Sequence, residues 1–182
     1  YNLKKKTWLK ITKTNDEAYA KLSLPKFERR YVTTTDGKKM LVWVILPPNF
    51  DKSKKYPTLL YCQGGPQSPL TQSYSFRWNF SLMASQGYVV VAPNRRGMYG
   101  HGREWNEQIS KDWGGQVMDD YLSAIDDVAK ESYVDKSRLG AVGAREGGYS
   151  VFYLAGIYNN RFKTFISYCG AFNLESMYGT TE

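Results

Sequence analysis

The segment Arg138 to Ala155 reads RLGAVGAREGGYSVFYLA and constrains the fold more than any other stretch. A short apolar run, Leu139 to Val142, meets a glycine-rich bend and then an apolar stretch of helical length, Gly148 to Ile157. A strand that turns this sharply into a helix lays the helix back over its own sheet. The next apolar run, Thr164 to Tyr168 (TFISY), is then expected parallel to the first, because parallel neighbours need a crossover of this kind.

The same alternation runs through the preceding residues. Tyr31 to Thr35 is β-branched and aromatic, Asp36-Gly37 is a turn signal, and Met40 to Leu46 returns as apolar sequence, which predicts a hairpin. Pro47-Pro48 ends it. Thr58 to Cys62 (TLLYC) and Tyr88 to Ala92 (YVVVA) read as buried strands, with a helix predicted over Trp78 to Ala84 between them. Met118, Tyr121, Leu122, Ile125, Val128 and Ala129 recur at three and four and predict one face of a long helix. Strands separated by helices after an opening hairpin argue for a mostly parallel sheet covered on both faces. After residue 168 the pattern predicts only loop. Residues 1–24 are different: Trp8, Leu9 and Ile11 predict a short extended run, a polar turn follows at Thr14 to Glu17, and Pro25 closes the segment.

The net charge of +8 invites a nucleic-acid reading, and its distribution weakens that reading. Residues 1–50 hold eleven Lys or Arg against four Asp or Glu, whereas residues 51–182 hold fourteen against thirteen. A basic first quarter on a nearly neutral body does not make a groove that tracks phosphates. Two cysteines are too few for a disulfide scaffold, and no apolar run is long enough to span a bilayer. No leader peptide is visible, and neither a cofactor nor a metal is called for.

Chemistry is expected at the bend. A nucleophile elbow, G-x-S-x-G between strand and helix, needs small neighbours because its central residue sits on strained backbone close to both elements. Gly143 and Gly147 occupy those glycine positions and Gly148 extends them, but the central residue is Arg145. A guanidinium offers no lone pair for attack on a carbonyl, so arginine does not replace a hydroxyl or thiol nucleophile. The neighbouring Glu146 suggests a local ion pair with Arg145.

The blocks TTDGKKM, PTLLYCQGGPQS, GYVVVAPNRRGMYGHG, DWGGQVMDDYLSAIDDV, YVDKSRLGAVGA, GGYSVFYLAG and RFKTFI carry a wider likeness. In order and spacing, residues 31–182 resemble the catalytic domain of the prolyl oligopeptidase family of serine peptidases, in particular its dipeptidyl aminopeptidase IV-like members of Bacteroidetes type. The resemblance implies an α/β-hydrolase three-layer sandwich over residues 25–182, incomplete for want of its C-terminal strands. Residues 1–24 would be the end of a β-propeller and its linker. It implies a serine exopeptidase that releases dipeptides or tripeptides from free amino termini through an acyl-enzyme, in the periplasm or secreted, with a homodimer possible. Arg145 stands at the serine's position, Glu146 supplies the backbone oxyanion donor, and Gln63 lies on the loop giving a second oxyanion contact. Phe172, Met177 and Tyr178 fall near the segment lining the pocket for the penultimate side chain. The family's catalytic aspartate and histidine lie beyond the last residue of this sequence, and its amino-terminus-gripping glutamates belong to the propeller. The implied partners are therefore peptide substrates, a propeller and a C-terminal hydrolase segment. Two readings follow: a portion of a serine peptidase that is itself inactive, or a non-catalytic binding or structural module.

Other residues carry blander expectations. His101 precedes the elbow, the wrong order for a base in this fold, and reads as a loop residue. Ser150 reads as helix surface or packing, and Asp119-Asp120 and Asp126-Asp127 each point apart on a helix. Cys62 and Cys169 read as small buried residues, and Arg95-Arg96 as a loop-holding pair, with a carboxylate partner from outside this segment as the other reading. Gly114-Gly115 lacks the Lys-Ser/Thr of a phosphate loop.

Overall fold

The computed structural model describes residues 1–157 and 160–180. In chain order its elements are α1 (Asp16–Ala20), β1 (Lys26–Thr33), β2 (Lys39–Leu46), β3 (Tyr56–Cys62), α2 (Phe80–Ser85), β4 (Val89–Pro93), α3 (Arg103–Glu107), α4 (Gln116–Val128), β5 (Val134–Ala144), α5 (Glu146–Ile157), β6 (Thr164–Tyr168) and α6 (Leu174–Thr180). One six-stranded sheet runs in the order β1-β2-β4-β3-β5-β6. The first hairpin is antiparallel, with Val32 opposite Met40, and β2 pairs antiparallel with β4. The pairs β3–β4, β3–β5 and β5–β6 are parallel. The hairpin and the mostly parallel remainder are thus as the sequence pattern implies.

The hairpin closes because Gly37 takes φ +83°, where a Cβ is disfavoured, and its N–H donates to the Thr34 carbonyl at 2.9 Å. Beyond it, strand alternation sorts the core into two layers. Val89, Val91, Leu60 and Ala141 face α4 and α5, meeting Met118, Tyr121, Ile125, Val151 and Leu154. Val90, Ala92, Tyr61 and Val142 face the other way, onto Ala84 of α2 with Leu70 and Met98. Helices therefore cover both faces, the layering of an α/β-hydrolase-like fold.

Several expectations change. No strand forms over residues 8–11: Trp8, Leu9 and Ile11 are exposed, and the only pairing near them is an isolated bridge from Asn2 to Thr7. Nothing among the described residues forms propeller strands. The apolar residues there lack the alternate buried face that stabilises a strand. The helix predicted from Trp78 begins at Phe80, because the Asn79 side chain accepts the Leu82 N–H at 3.0 Å and caps it. Residues after 168 are not all loop: the Asn173 side chain accepts the Ser176 N–H at 2.7 Å and starts α6. Cys62 is buried as expected, whereas Cys169 is exposed, at φ +50° just past β6.

Candidate functional site at the strand-to-helix elbow

Arg145 forms the apex between β5 and α5, at φ +58°. Such backbone costs a non-glycine residue about 1 kcal/mol and persists where its surroundings fix it. Here both sides are fixed. The Arg145 N–H donates to the Tyr168 carbonyl of β6 at 2.9 Å, and its carbonyl accepts the Tyr149 N–H of α5 at 2.9 Å. The effect is to lift the side chain at 145 clear of both elements, and it is exposed.

The surrounding glycines let four backbone segments meet. A Cβ on Gly143 would strike the Gly147 carbonyl, and one on Gly147 would strike the Cys62 carbonyl at the end of β3. A Cβ on Gly148 would lie 2.6 Å from the Cα of Gly170, and one on Gly64 would strike the Ala144 carbonyl. The loop after β3 therefore lies directly against the elbow. Between them is a cavity of about 230 Å³ lined by Tyr61, Gln63, Gly64, Gly65, Ser68, Arg77, Trp78, Ala144 and Arg145.

Under the apex sits a buried ionic hub. Arg95, fully buried, donates from Nη2 to Glu146 Oε2 at 2.7 Å and to the Gln63 carbonyl at 3.1 Å. Its Nε donates to the Tyr121 hydroxyl at 3.1 Å, and Nη1 donates to the Pro66 carbonyl. One guanidinium thus ties the first residue of α5 to both ends of the 63–66 loop and to α4. Glu146 pairs with Arg95 and not with Arg145, which corrects the local pair expected from sequence. Burial pushes the Glu146 carboxyl up, and the charge of Arg95 opposes the rise. Burial also pushes the Cys62 thiol up, so it is a poor thiolate.

Arg96 turns the opposite way. It grips Asp36 of the hairpin turn through two bonds of 2.7 and 2.6 Å, and its backbone N–H donates to Asp120 Oδ2 at 2.9 Å. The Trp105 ring lies 4.4 Å from its guanidinium carbon. Hydrogen bonds from Arg96 hold the Asp36 carboxyl well below the usual range, whereas burial pushes Asp120 up to about 6. The arginine pair holds its loop, and its carboxylate partners come from within this chain.

The remaining candidates separate in space. Gln63 and Arg145 share the elbow cavity. Met177 and Tyr178 line a different cavity of about 470 Å³ with Trp113, Gly114, Tyr149 and Leu174. Phe172 is exposed and meets Phe152 edge-on at 5.4 Å. Ser150 is buried, with its hydroxyl 3.2 Å from the Glu146 carbonyl, and so packs rather than reacts. His101 is exposed near Trp105, and desolvation lowers its pKa. Asp120 is buried while Asp119 is exposed. Asp126 and Asp127 turn to different arginines, Arg161 and Arg30. The Gly115 N–H donates to Asp112 Oδ1 at 2.8 Å, ordinary turn chemistry. Among the described residues no group of three His, Cys, Asp or Glu is placed to hold a metal. Sequence reasoning missed Arg77 and Trp78 as cavity residues. No local pattern marks them, because they arrive on the loop before α2.

A strand, an apex residue in left-handed backbone and a helix, with glycines wherever backbones touch, define the nucleophile-elbow class of α/β-hydrolase-like proteins. The chain belongs to the prolyl oligopeptidase family, whose sequence model matches residues 74–182. It is 57% identical over 172 residues to dipeptidyl-peptidase 5 of Porphyromonas gingivalis, covering 94% of this chain and 25% of that protein. It is 55% identical to dipeptidyl-peptidase 5 of Porphyromonas endodontalis, covering 100% of this chain and 26% of the relative. Among solved structures, Porphyromonas gingivalis dipeptidyl peptidase 4 is 29% identical with a TM-score of 0.70, over 82% of this chain and 21% of that one. Pyrococcus horikoshii acylaminoacyl peptidase shares the fold with a TM-score of 0.85 at 24% identity, over 93% of this chain and 27% of that one. The chain spans about a quarter of the length of these curated relatives.

Proposed function

We propose that the protein carrying this chain is built as a serine-type exopeptidase releasing dipeptides or tripeptides from free amino termini, and that this chain, as its sequence stands, performs no acyl transfer. One observation carries the second half: the residue at the elbow apex, Arg145, has no nucleophilic atom. Family membership and the names of the Porphyromonas relatives support the first half. In this reading the Glu146 N–H and the Gln63 loop form the oxyanion side of the elbow, and Phe172, Met177 and Tyr178 contribute to substrate recognition. Residues 25–182 are the elbow-bearing part of the hydrolase domain. Residues 1–24 serve as the linker from a β-propeller, which gives the exposed Trp8, Leu9 and Ile11 a surface to cover them. Action outside the cytoplasm, on peptides and as a homodimer, completes the proposal. No helix among the described residues is long and apolar enough to cross a membrane.

The second reading is a binding module on a hydrolase scaffold. The intact glycine packing around a cationic apex favours it. The test common to both is release of 4-nitroaniline from Ala-Pro and Ala-Ala 4-nitroanilides by the purified chain. The expected rate equals that of buffer, and turnover above it overturns the inactivity of this chain.

A further inference from the structure

Among the described residues, the elbow cavity is lined by two cations, Arg77 and Arg145, and by no carboxylate. Arg30, Arg95, Arg96, Arg103, Arg138 and Arg161 each pair with an Asp or Glu. Among the described residues, Arg77 and Arg145 join no ion pair. The one carboxylate adjacent in sequence, Glu146, is turned inward and consumed by Arg95 at 2.7 Å. Two like charges facing one small cavity repel each other, and an anion between them removes the repulsion.

The rest of the lining defines the anion. The first backbone N–H groups of the twelve-residue α5 open beside Arg145 without intrahelical acceptors, adding positive potential. Gly64 and Gly65 let the backbone of the neighbouring loop form the floor without side chains. Tyr61 and Trp78, also in the lining, lie 5.7 Å apart, ring to ring; Tyr61 is buried, and the half-buried Trp78 supplies apolar surface beside the cations. A guanidinium matches the two-oxygen geometry of a carboxylate or a phosphate alike, and the apolar ring in the lining favours an acid with an apolar substituent over a bare inorganic ion. About 230 Å³ admits a small acid, not a polymer.

We propose that this cavity binds a small carboxylate bearing an apolar substituent, the free carboxyl end of an apolar amino acid or short peptide, between Arg77 and Arg145 with the substituent against Trp78. The proposal deepens the binding-module reading and rests on its claim that Arg145 is a ligand-facing group at a non-catalytic elbow. Both guanidiniums are exposed, so binding is weak and falls as salt is raised.

The test titrates N-acetyl-phenylalanine into the full chain by calorimetry at low salt, with N-acetyl-phenylalaninamide and inorganic phosphate as parallel probes. The carboxylate binds saturably at one site, and the neutral amide, which lacks the charge, and phosphate, which lacks the apolar substituent, each bind at least about tenfold more weakly. Arg145→Gln and Arg77→Gln each weaken the carboxylate by about tenfold. Arg29→Gln, which removes the same charge from β1 at the far edge of the sheet, leaves binding unchanged. Circular dichroism melts check that each variant is folded, and Arg77→Gln alters an exposed loop rather than the elbow. Equal binding of the amide or of phosphate overturns the carboxylate assignment, and unchanged binding in both cavity variants overturns the site. The same sample is assayed for 4-nitroanilide release: no binding and no turnover defeats this proposal alone, whereas turnover defeats the non-catalytic elbow on which it rests.

Discussion

Replacing Glu146 by leucine strips the paired carboxylate from a guanidinium that has no access to water. The Arg95 side chain is 0% exposed and that of Glu146 is 4%, so solvent cannot reach in to stabilise the orphaned charge. Removing one partner from such a pair costs about 3–5 kcal/mol, at least about a fifth of the roughly 5–15 kcal/mol that holds a typical domain together. The remaining acceptors, the Gln63, Pro66 and Arg96 carbonyls and the Tyr121 hydroxyl, satisfy hydrogen bonds but supply no charge. In urea unfolding followed by tryptophan fluorescence, with a slope of about 2 kcal/mol/M, the midpoint should fall by roughly 2 M. The control is Glu17→Gln, which breaks a pair with side chains 72% and 88% exposed and should cost less than about 0.5 kcal/mol. The double variant Arg95→Met, Glu146→Leu should recover part of the loss, because it leaves no buried charge unpaired, while the Gln63, Pro66 and Arg96 carbonyls lose their donor. A single-variant midpoint within error of Glu17→Gln refutes the buried-pair account.

Other perturbations probe different links. Gly147→Ala should prevent native folding, since its Cβ meets the Cys62 carbonyl, whereas Gly156→Ala meets nothing within 4 Å and should raise stability by about 0.5–1 kcal/mol; thermal melts compare them. Burial raises Asp120 to about 6 against an ordinary 3.8, so the folded state holds a proton there that the unfolded chain has released. That contribution is full below about pH 4 and is lost as pH rises to 6, with an upper bound of roughly 3 kcal/mol. Asp120→Asn should flatten this part of the stability profile, and an unchanged slope counts against the assignment. Iodoacetamide should add one group to the native chain, at exposed Cys169, and two after denaturation; native modification of Cys62 contradicts its burial.

What could be read beforehand was what local pattern encodes. The Asp36-Gly37 turn, the YVVVA strand and the spaced face of α4 each carry their own periodicity, and the glycines at 143 and 147 announced tight packing. The partners of Arg95 and Arg96 were not legible, because Glu146 lies 51 residues from Arg95 and Asp36 lies 60 from Arg96. Short-range charge logic paired Glu146 with its neighbour instead. The short α6 escaped notice because only the Asn173 cap, rather than an apolar face, marks it. Trp8, Leu9 and Ile11 had strand-like composition but no neighbouring strand to complete a ladder, so propensity alone failed. Arg77 and Trp78 reach the cavity only through the path of the loop before α2.

The central claim is that the elbow apex of this chain carries no nucleophile. A fluorophosphonate reacts with an activated serine and leaves a stable adduct, so intact mass after incubation, with peptide mapping across residues 138–155, reads the claim directly. The account predicts an unshifted mass and Arg145 in the mapped peptide. A single stoichiometric adduct on the elbow peptide would contradict it.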